Sequence, residues 1–489
     1  MSADSPPLVD TASGRVRGVW RGDSAAFLGI PFAQPPVGDL RFAAPVPVER
    51  WEGVRDAVEF GATAQRGDPG ETLIPEPSVA GDSTLNVNVF TPAPADDARL
   101  PVMVWIHGGG YTGGSPASPW YDGRSFNRDG VVTVTVSYRL GFDGFGHIEG
   151  APSNRAVRDW LAALEWVQRN IGAFGGDPDR VTIAGQSAGG GAVLTLLAMP
   201  AAQHLFSAVW ALSPALGDIP AEQARTVSAK LANLAGVAPT RAGFAAVSEE
   251  RLHALQHDAT NPPPARPWEK ARELISQGSP WGPVIDGDLL LRDTVTSLAA
   301  GVGADKPLVI GSTDDEFTTM TDAAKHPLGL VPASLALAVV APDPRRRRDY
   351  LAANTEQRRK GTAAVLGRYV TDAVFRVTVV RVADARGEAP TWVYRFAWAS
   401  PTRGWALHCL DVPFWFDVLD ADGVTRLAGP QPPRALANAL HDAATAFVRT
   451  RAPGWLAWSG EPGTARVFGG PASQPDVARD AYASVLALV

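Results

Sequence analysis

Four short runs, Val87 to Phe90, Val102 to Ile106, Val131 to Val136 and Val181 to Ala184, are β-branched and nearly all apolar. Short runs this rich in β-branched and apolar residues suit strands with both faces covered. Strands of that kind occur in parallel sheets packed between helices. No other feature narrows the fold as much. Between the last two runs, Asn154 to Ile171 carries Trp160, Leu161, Leu164 and Val167 at helical spacing, which makes a strand–helix–strand crossover. Pro307 to Gly311 and Thr391 to Trp398 continue the strands, and Glu222 to Leu234, Gly361 to Ala385 and Arg434 to Arg449 read as helices. The opening segment reads as two short strands, Gly14 to Trp20 and Ala25 to Gly29. An α/β architecture is expected, with a large, mostly parallel central sheet.

The sequence Gly185-Gln186-Ser187-Ala188-Gly189 stands between one of these strands and an apolar helix through Val193, Leu194 and Leu197. In that context G-x-S-x-G is a sharp strand-to-helix turn that presents the serine hydroxyl, and the small neighbours permit the strained backbone. The new helix aims its unpaired N–H groups at whatever the serine attacks. His107-Gly108-Gly109-Gly110 follows the strand Val102 to Ile106. Acyl transfer builds negative charge on a carbonyl oxygen, and consecutive glycines let backbone N–H groups approach it unobstructed.

A serine nucleophile needs a base, and the chain order in sheets of this class is serine, acid, histidine. Three of the eight histidines lie beyond residue 316: His326, His408 and His441. His326 sits in a loop near the acid candidates, and His441 falls within a helix. His408 lies in a loop after the strand Thr391 to Trp398, at the sheet edge where the base belongs, and is the expected base. The strand Pro307 to Gly311 leads into Asp314-Asp315-Glu316, and spacing alone does not choose among these carboxylates.

Composition closes other readings. With 44 basic and 51 acidic residues the net charge is −7, so nucleic acid is not an expected partner. The run Arg345 to Arg348 reads as a solvated turn before a helix. The 49 glycines and 42 prolines stay below the roughly 25–30% of low-complexity sequence, and belong to loops and elbows. Pro262 to Pro264 and Pro267 mark an irregular excursion, and no linker divides the chain. The single cysteine, Cys409, rules out an intramolecular disulfide and reads as a packing residue. The first residues lack a basic and apolar leader pattern, and no apolar run reaches ~18 residues. A cytoplasmic protein without membrane association is expected.

Taken together, GIPFAQPPVGDLRF from Gly29, WEGVRDA from Trp51, LNVNVFTP from Leu85 and VMVWIHGGG from Val102 resemble the type-B carboxylesterases. So do SYRLG from Ser137, AFGGDPDRVTIAGQSAGG from Ala173, PVIDGDLL from Pro283, TDAVFR from Thr371 and HCLDVPF from His408. This family includes bacterial para-nitrobenzyl esterases and the cholinesterases. The resemblance covers nearly the whole chain. It implies an α/β-hydrolase fold as one domain over residues 1–489, with long excursions over the active site. It implies Ser187 as nucleophile, Glu316 as acid and His408 as base. An oxyanion hole of N–H groups from Gly109, Gly110 and Ala188 is implied too, with Ser213 hydrogen-bonded near the acid. The implied activity is hydrolysis of small to medium apolar or aromatic esters, needing no metal or cofactor; a monomer is the favoured state, though the sequence does not set it. Two alternatives accompany it: a carbamate or anilide hydrolase with the same residues, and a non-catalytic adhesion or scaffold relative. The sequence departs from the family pattern at Gln186, usually glutamate, and at Pro214 and Phe317, usually glycine. Thr63 and Ser83 replace the cysteines of a common early disulfide. Tyr111, Phe317, Met320, Trp405 and Trp415 flank the motifs as candidates for pocket or core.

Overall fold

The computed structural model describes residues 5–65, 70–95, 97–260, 269, 272, 275, 278–471 and 476–489. The prolines at 262–264 and 267 lie outside these residues. Eleven strands build one sheet: β1 (Val19–Arg21), β2 (Ser24–Pro31), β3 (Asn86–Thr91), β4 (Leu100–Ile106), β5 (Val132–Val136), β6 (Gly176–Gln186), β7 (Ala208–Leu212), β8 (Leu308–Thr313), β9 (Thr391–Phe396), β10 (Ala465–Phe468) and β11 (Val477–Ala478). Their spatial order is β11-β10-β9-β8-β7-β6-β4-β5-β3-β2-β1. From β10 to β5 every neighbouring pair runs parallel, and the pairs toward both edges are antiparallel. This is the α/β-hydrolase architecture, and the large parallel sheet expected from the apolar runs is present.

Both sheet faces are covered, as suits those runs. Val102, Val104 and Ile106 of β4 join a core with Trp160, Leu164 and Val167 of helix α1 (Arg155–Asn170) and with Val193, Leu194 and Leu197 of α2 (Ala188–Leu197). Met103 and Trp105, on the opposite face of β4, pack with residues of a second helical layer. That layer includes Leu440, Ala444 and Phe447 of a helix over Arg434–Thr450.

Three sequence expectations change. The run Gly14 to Trp20 is two strands in different sheets, Gly14–Arg17 and β1. Gly18 separates them where a Cβ would lie 2.6 Å from the Ala26 carbonyl oxygen. The helix expected over Gly361 to Ala385 is interrupted by a π-turn at Asp372–Arg376, between α3 (Thr362–Thr371) and α4 (Val377–Ala385). Arg345 to Arg348 lie within a helix (Pro344–Ala353) rather than before one, because Asp343 caps its N-terminus through the N–H groups of Arg345 and Arg346. Among the described residues, no helix is long and apolar enough to cross a membrane.

Candidate active site

In a parallel sheet every strand ends at the same edge, and ligands bind where the chain leaves neighbouring strands in opposite directions. Here the chain passes from β4 to β5 on one side and returns to β6 on the other. Ile106 pairs with Gly185 in register, so His107 and Gln186 emerge side by side. Ser187 follows in the turn into α2 with φ 60° and ψ −121°, a conformation that L residues rarely adopt. Three backbone bonds hold it. Ser187 N–H donates to Leu212 O at 2.9 Å, and Ser187 O accepts from Gly191 N at 2.9 Å and Ala215 N at 3.0 Å.

Neighbouring glycines are there because backbone fills the space where Cβ atoms would stand. A Cβ on Gly185 would lie 2.4 Å from Gly189 O, and one on Gly189 would lie 2.0 Å from Ile106 O. Gly189→Ala is therefore expected to cost about 1–3 kcal/mol, the usual penalty for overpacking. A lowered denaturant midpoint would show it, and an unchanged midpoint would contradict it.

His107 is buried and stacks on Tyr138 at 4.5 Å between ring centroids. Burial depresses its pKa to about 4, so the ring is neutral at pH 7 and Nδ1–H donates to Gly108 O at 2.8 Å. Tyr138 Oη–H donates to His107 O at 2.9 Å. This pins the start of the glycine loop. Gly109 has φ 107° and approaches Gly113 O so closely that a Cβ would lie 2.3 Å from it. Among the described residues, the N–H groups of Gly109, Gly110 and Ala188 have no acceptor. A Cβ on Gly108 would stand 3.1 Å from Ser187 Cβ, so this loop and the serine are in contact.

The three carboxylates after β8 separate clearly. Asp314 is gripped by Arg395, with Nε at 2.9 Å and Nη2 at 2.6 Å, and Asp315 is paired with Arg368 Nη2 at 2.9 Å. Glu316 is the one that meets the imidazole: its Oε2 is 2.5 Å from His408 Nδ1, while Oε1 accepts from Thr313 N at 2.8 Å. The same two residues are joined along the backbone, His408 N–H donating to Glu316 O at 3.0 Å. His326 is exposed in a short helix, and His441 is buried between Asp129 and Trp415 O. Neither reaches this site.

Burial opposes a charge on His408, but Cys409 and Glu316 outweigh it and raise the pKa well above 6.5. Burial pushes the Cys409 thiol up as well. Phe317 and Phe375 pack against the imidazole, with ring centroids at 5.3 and 4.8 Å.

Ser213 does not form the hydrogen bond expected of it. It follows β7 and its N–H donates to Gly311 O, yet its buried hydroxyl has no partner among the described residues. The Glu316 carboxylate is already met by Thr313 N–H and His408.

The carboxylesterase family model matches residues 5–459. The para-nitrobenzyl esterase of Bacillus subtilis (strain 168) is 34% identical over 466 residues, covering 91% of this chain and 90% of the relative. Phenmedipham hydrolase of Pseudarthrobacter oxydans is 32% identical over 486 residues, again covering 91% and 90%. A solved PNB esterase structure superposes with a TM-score of 0.82 at 30% identity, covering 99% of this chain and 100% of that one. The Geobacillus stearothermophilus carboxylesterase solved at pH 6.8 gives 0.77 at 32% identity, covering 94% and 96%. The chain belongs to the carboxylesterase family.

As a carboxylesterase it is a serine hydrolase of carboxylic esters. Beside Gly110 this carboxylesterase has a cleft of about 390 Å³, lined by Thr112, His253, Gln256, Ser279 and Trp281 among others. Of the flanking aromatics, Phe317 touches His408, whereas Trp415 is core and Tyr111 is buried with its hydroxyl on Ala215 O. Trp405 is buried and Met320 is exposed. Sequence reasoning missed Phe375. It belongs to the π-turn, whose extra residue shifts the helical phase, so 3.6-residue spacing carries no signal for it.

Proposed function

We propose that Ser187, His408 and Glu316 are nucleophile, base and acid in a two-step acyl transfer on small to medium apolar or aromatic esters. The observation that carries this reading is the His408 Nδ1–Glu316 Oε2 contact of 2.5 Å at the sheet edge that presents Ser187. Glu316 holds the proton of His408 on Nδ1, leaving Nε2 as the base. His408 takes the Ser187 proton as Oγ attacks the ester carbonyl. The oxyanion is held by the N–H groups of Gly109, Gly110 and Ala188, whose lack of other acceptors supports that role. His408 then protonates the leaving alcohol, and water repeats the sequence on the acyl-enzyme.

Carbamate or anilide cleavage by the same residues is the second reading, favoured by the similarity to phenmedipham hydrolase. Rates on a phenylcarbamate and a matched aryl ester separate the two; faster ester turnover is expected. A fluorophosphonate probe is expected to label Ser187 stoichiometrically. An unlabelled, folded protein would instead fit the scaffold alternative. We read residues 1–489 as one domain, supported by a single sheet whose strands run from residue 19 to residue 478. A monomer in the cytoplasm belongs to the same reading, and the lone buried Cys409 supports the reducing setting.

A further inference from the structure

Gln186 precedes Ser187 at the end of β6 and is almost wholly buried. Its side-chain Nε2 lies 3.1 Å from His408 Nε2. Because Nδ1–H of the ring is committed to Glu316, neutral His408 has only a lone pair at Nε2, and the amide N–H donates to it. The Ser187 hydroxyl makes no hydrogen bond to the ring in this state, so the amide occupies the position from which the serine proton must be taken. On its other side the Gln186 amide abuts the glycine loop, since a Cβ on Gly108 would lie 3.1 Å from Gln186 Oε1. Packing between the loop and the imidazole leaves this side chain little freedom.

We propose that Gln186 is a positioning residue that favours the neutral form of the base by donating its amide N–H to His408 Nε2, a bond the serine hydroxyl replaces when substrate binds. The inference rests on the assignment of His408 and Ser187 given above. A donated hydrogen bond stabilises the neutral imidazole and disfavours its protonation. A carboxylate at the same place can only accept, so it would stabilise the imidazolium. The other ionisable groups facing the ring are Glu316 from the loop after β8, and Cys409 and Asp411 from its own loop. Cys409 and Glu316 raise the proton affinity of His408, and Gln186 works against them.

The test is the acidic limb of kcat/KM against pH, which reports the base in the free enzyme. Gln186→Glu is expected to move that limb upward by about one to three pH units, the effect of an opposite charge at contact. Gln186→Met, which keeps the volume and removes the donor, is expected to move it upward by about half a unit to one unit. A limb that stays in place in both variants overturns the proposal, because a purely packing role changes the plateau and not the midpoint. Fluorophosphonate labelling of the wild-type protein is run beside it. Labelling at Ser187 with unmoved limbs refutes the role of Gln186 alone, whereas labelling absent from Ser187 refutes the underlying assignment. Should Gln186→Glu fail to fold, the Met variant decides.

Discussion

Ser187→Ala is expected to lower kcat on a chromogenic aryl ester by on the order of 10⁶-fold, with the fold intact. The loss is large because nucleophile, base and acid act as one unit: without Oγ, His408 has nothing to deprotonate. Alanine removes a half-buried hydroxyl that makes no hydrogen bond to the ring, so stability should hardly change. The unusual φ of 60° remains, enforced by the bonds to Leu212, Gly191 and Ala215. Turnover near the wild-type rate would end the assignment. A residual rate of ~10³–10⁴ over water is expected from the oxyanion donors and binding alone.

Glu316→Gln is expected to cost about 10⁴-fold in kcat. The amide can keep Thr313 N–H on its oxygen, and then its NH₂ faces His408 Nδ1. That favours the tautomer with the proton on Nε2, which cannot accept from Ser187. Asp315→Asn is the control: it breaks the pair with Arg368, removed from the reacting atoms, and should lower stability more than kcat. A pH effect accompanies this. His408 is held well above 6.5, and the neutral ring is the active form, so kcat/KM should rise with pH through a midpoint above 6.5. Removing the Glu316 charge takes away one of the two groups that raise it, so the midpoint of the residual activity should fall. A midpoint that rose instead would show that Glu316 is not a raising charge.

Much of the frame was legible because it follows from burial and backbone geometry. β4, β5, β6, β8 and β9 were visible as all-apolar runs or short β-branched segments, and G-Q-S-A-G and H-G-G-G marked their ends. β7 (Ala208–Leu212) went unread, since Ala-Val-Trp-Ala-Leu is too short and too helix-compatible to declare itself. β10 and β11 at the sheet edge were missed similarly. The π-turn carrying Phe375 has no periodic signature.

The sequence by itself determined the class of sheet, the strand-to-helix turn at Ser187, the glycine loop after β4 and a histidine after a late strand, because each is a local demand on residue type. Tertiary structure alone decided what lies beside what. Asp314, Asp315 and Glu316 are chemically alike and adjacent. They part only because Arg395 comes from β9 and Arg368 from α3, leaving Glu316 for His408. In the same way Ser213 stands without its expected partner, while Gln186 gains one 222 positions away. Contacts at that separation depend on the register of parallel strands, and no local pattern encodes it.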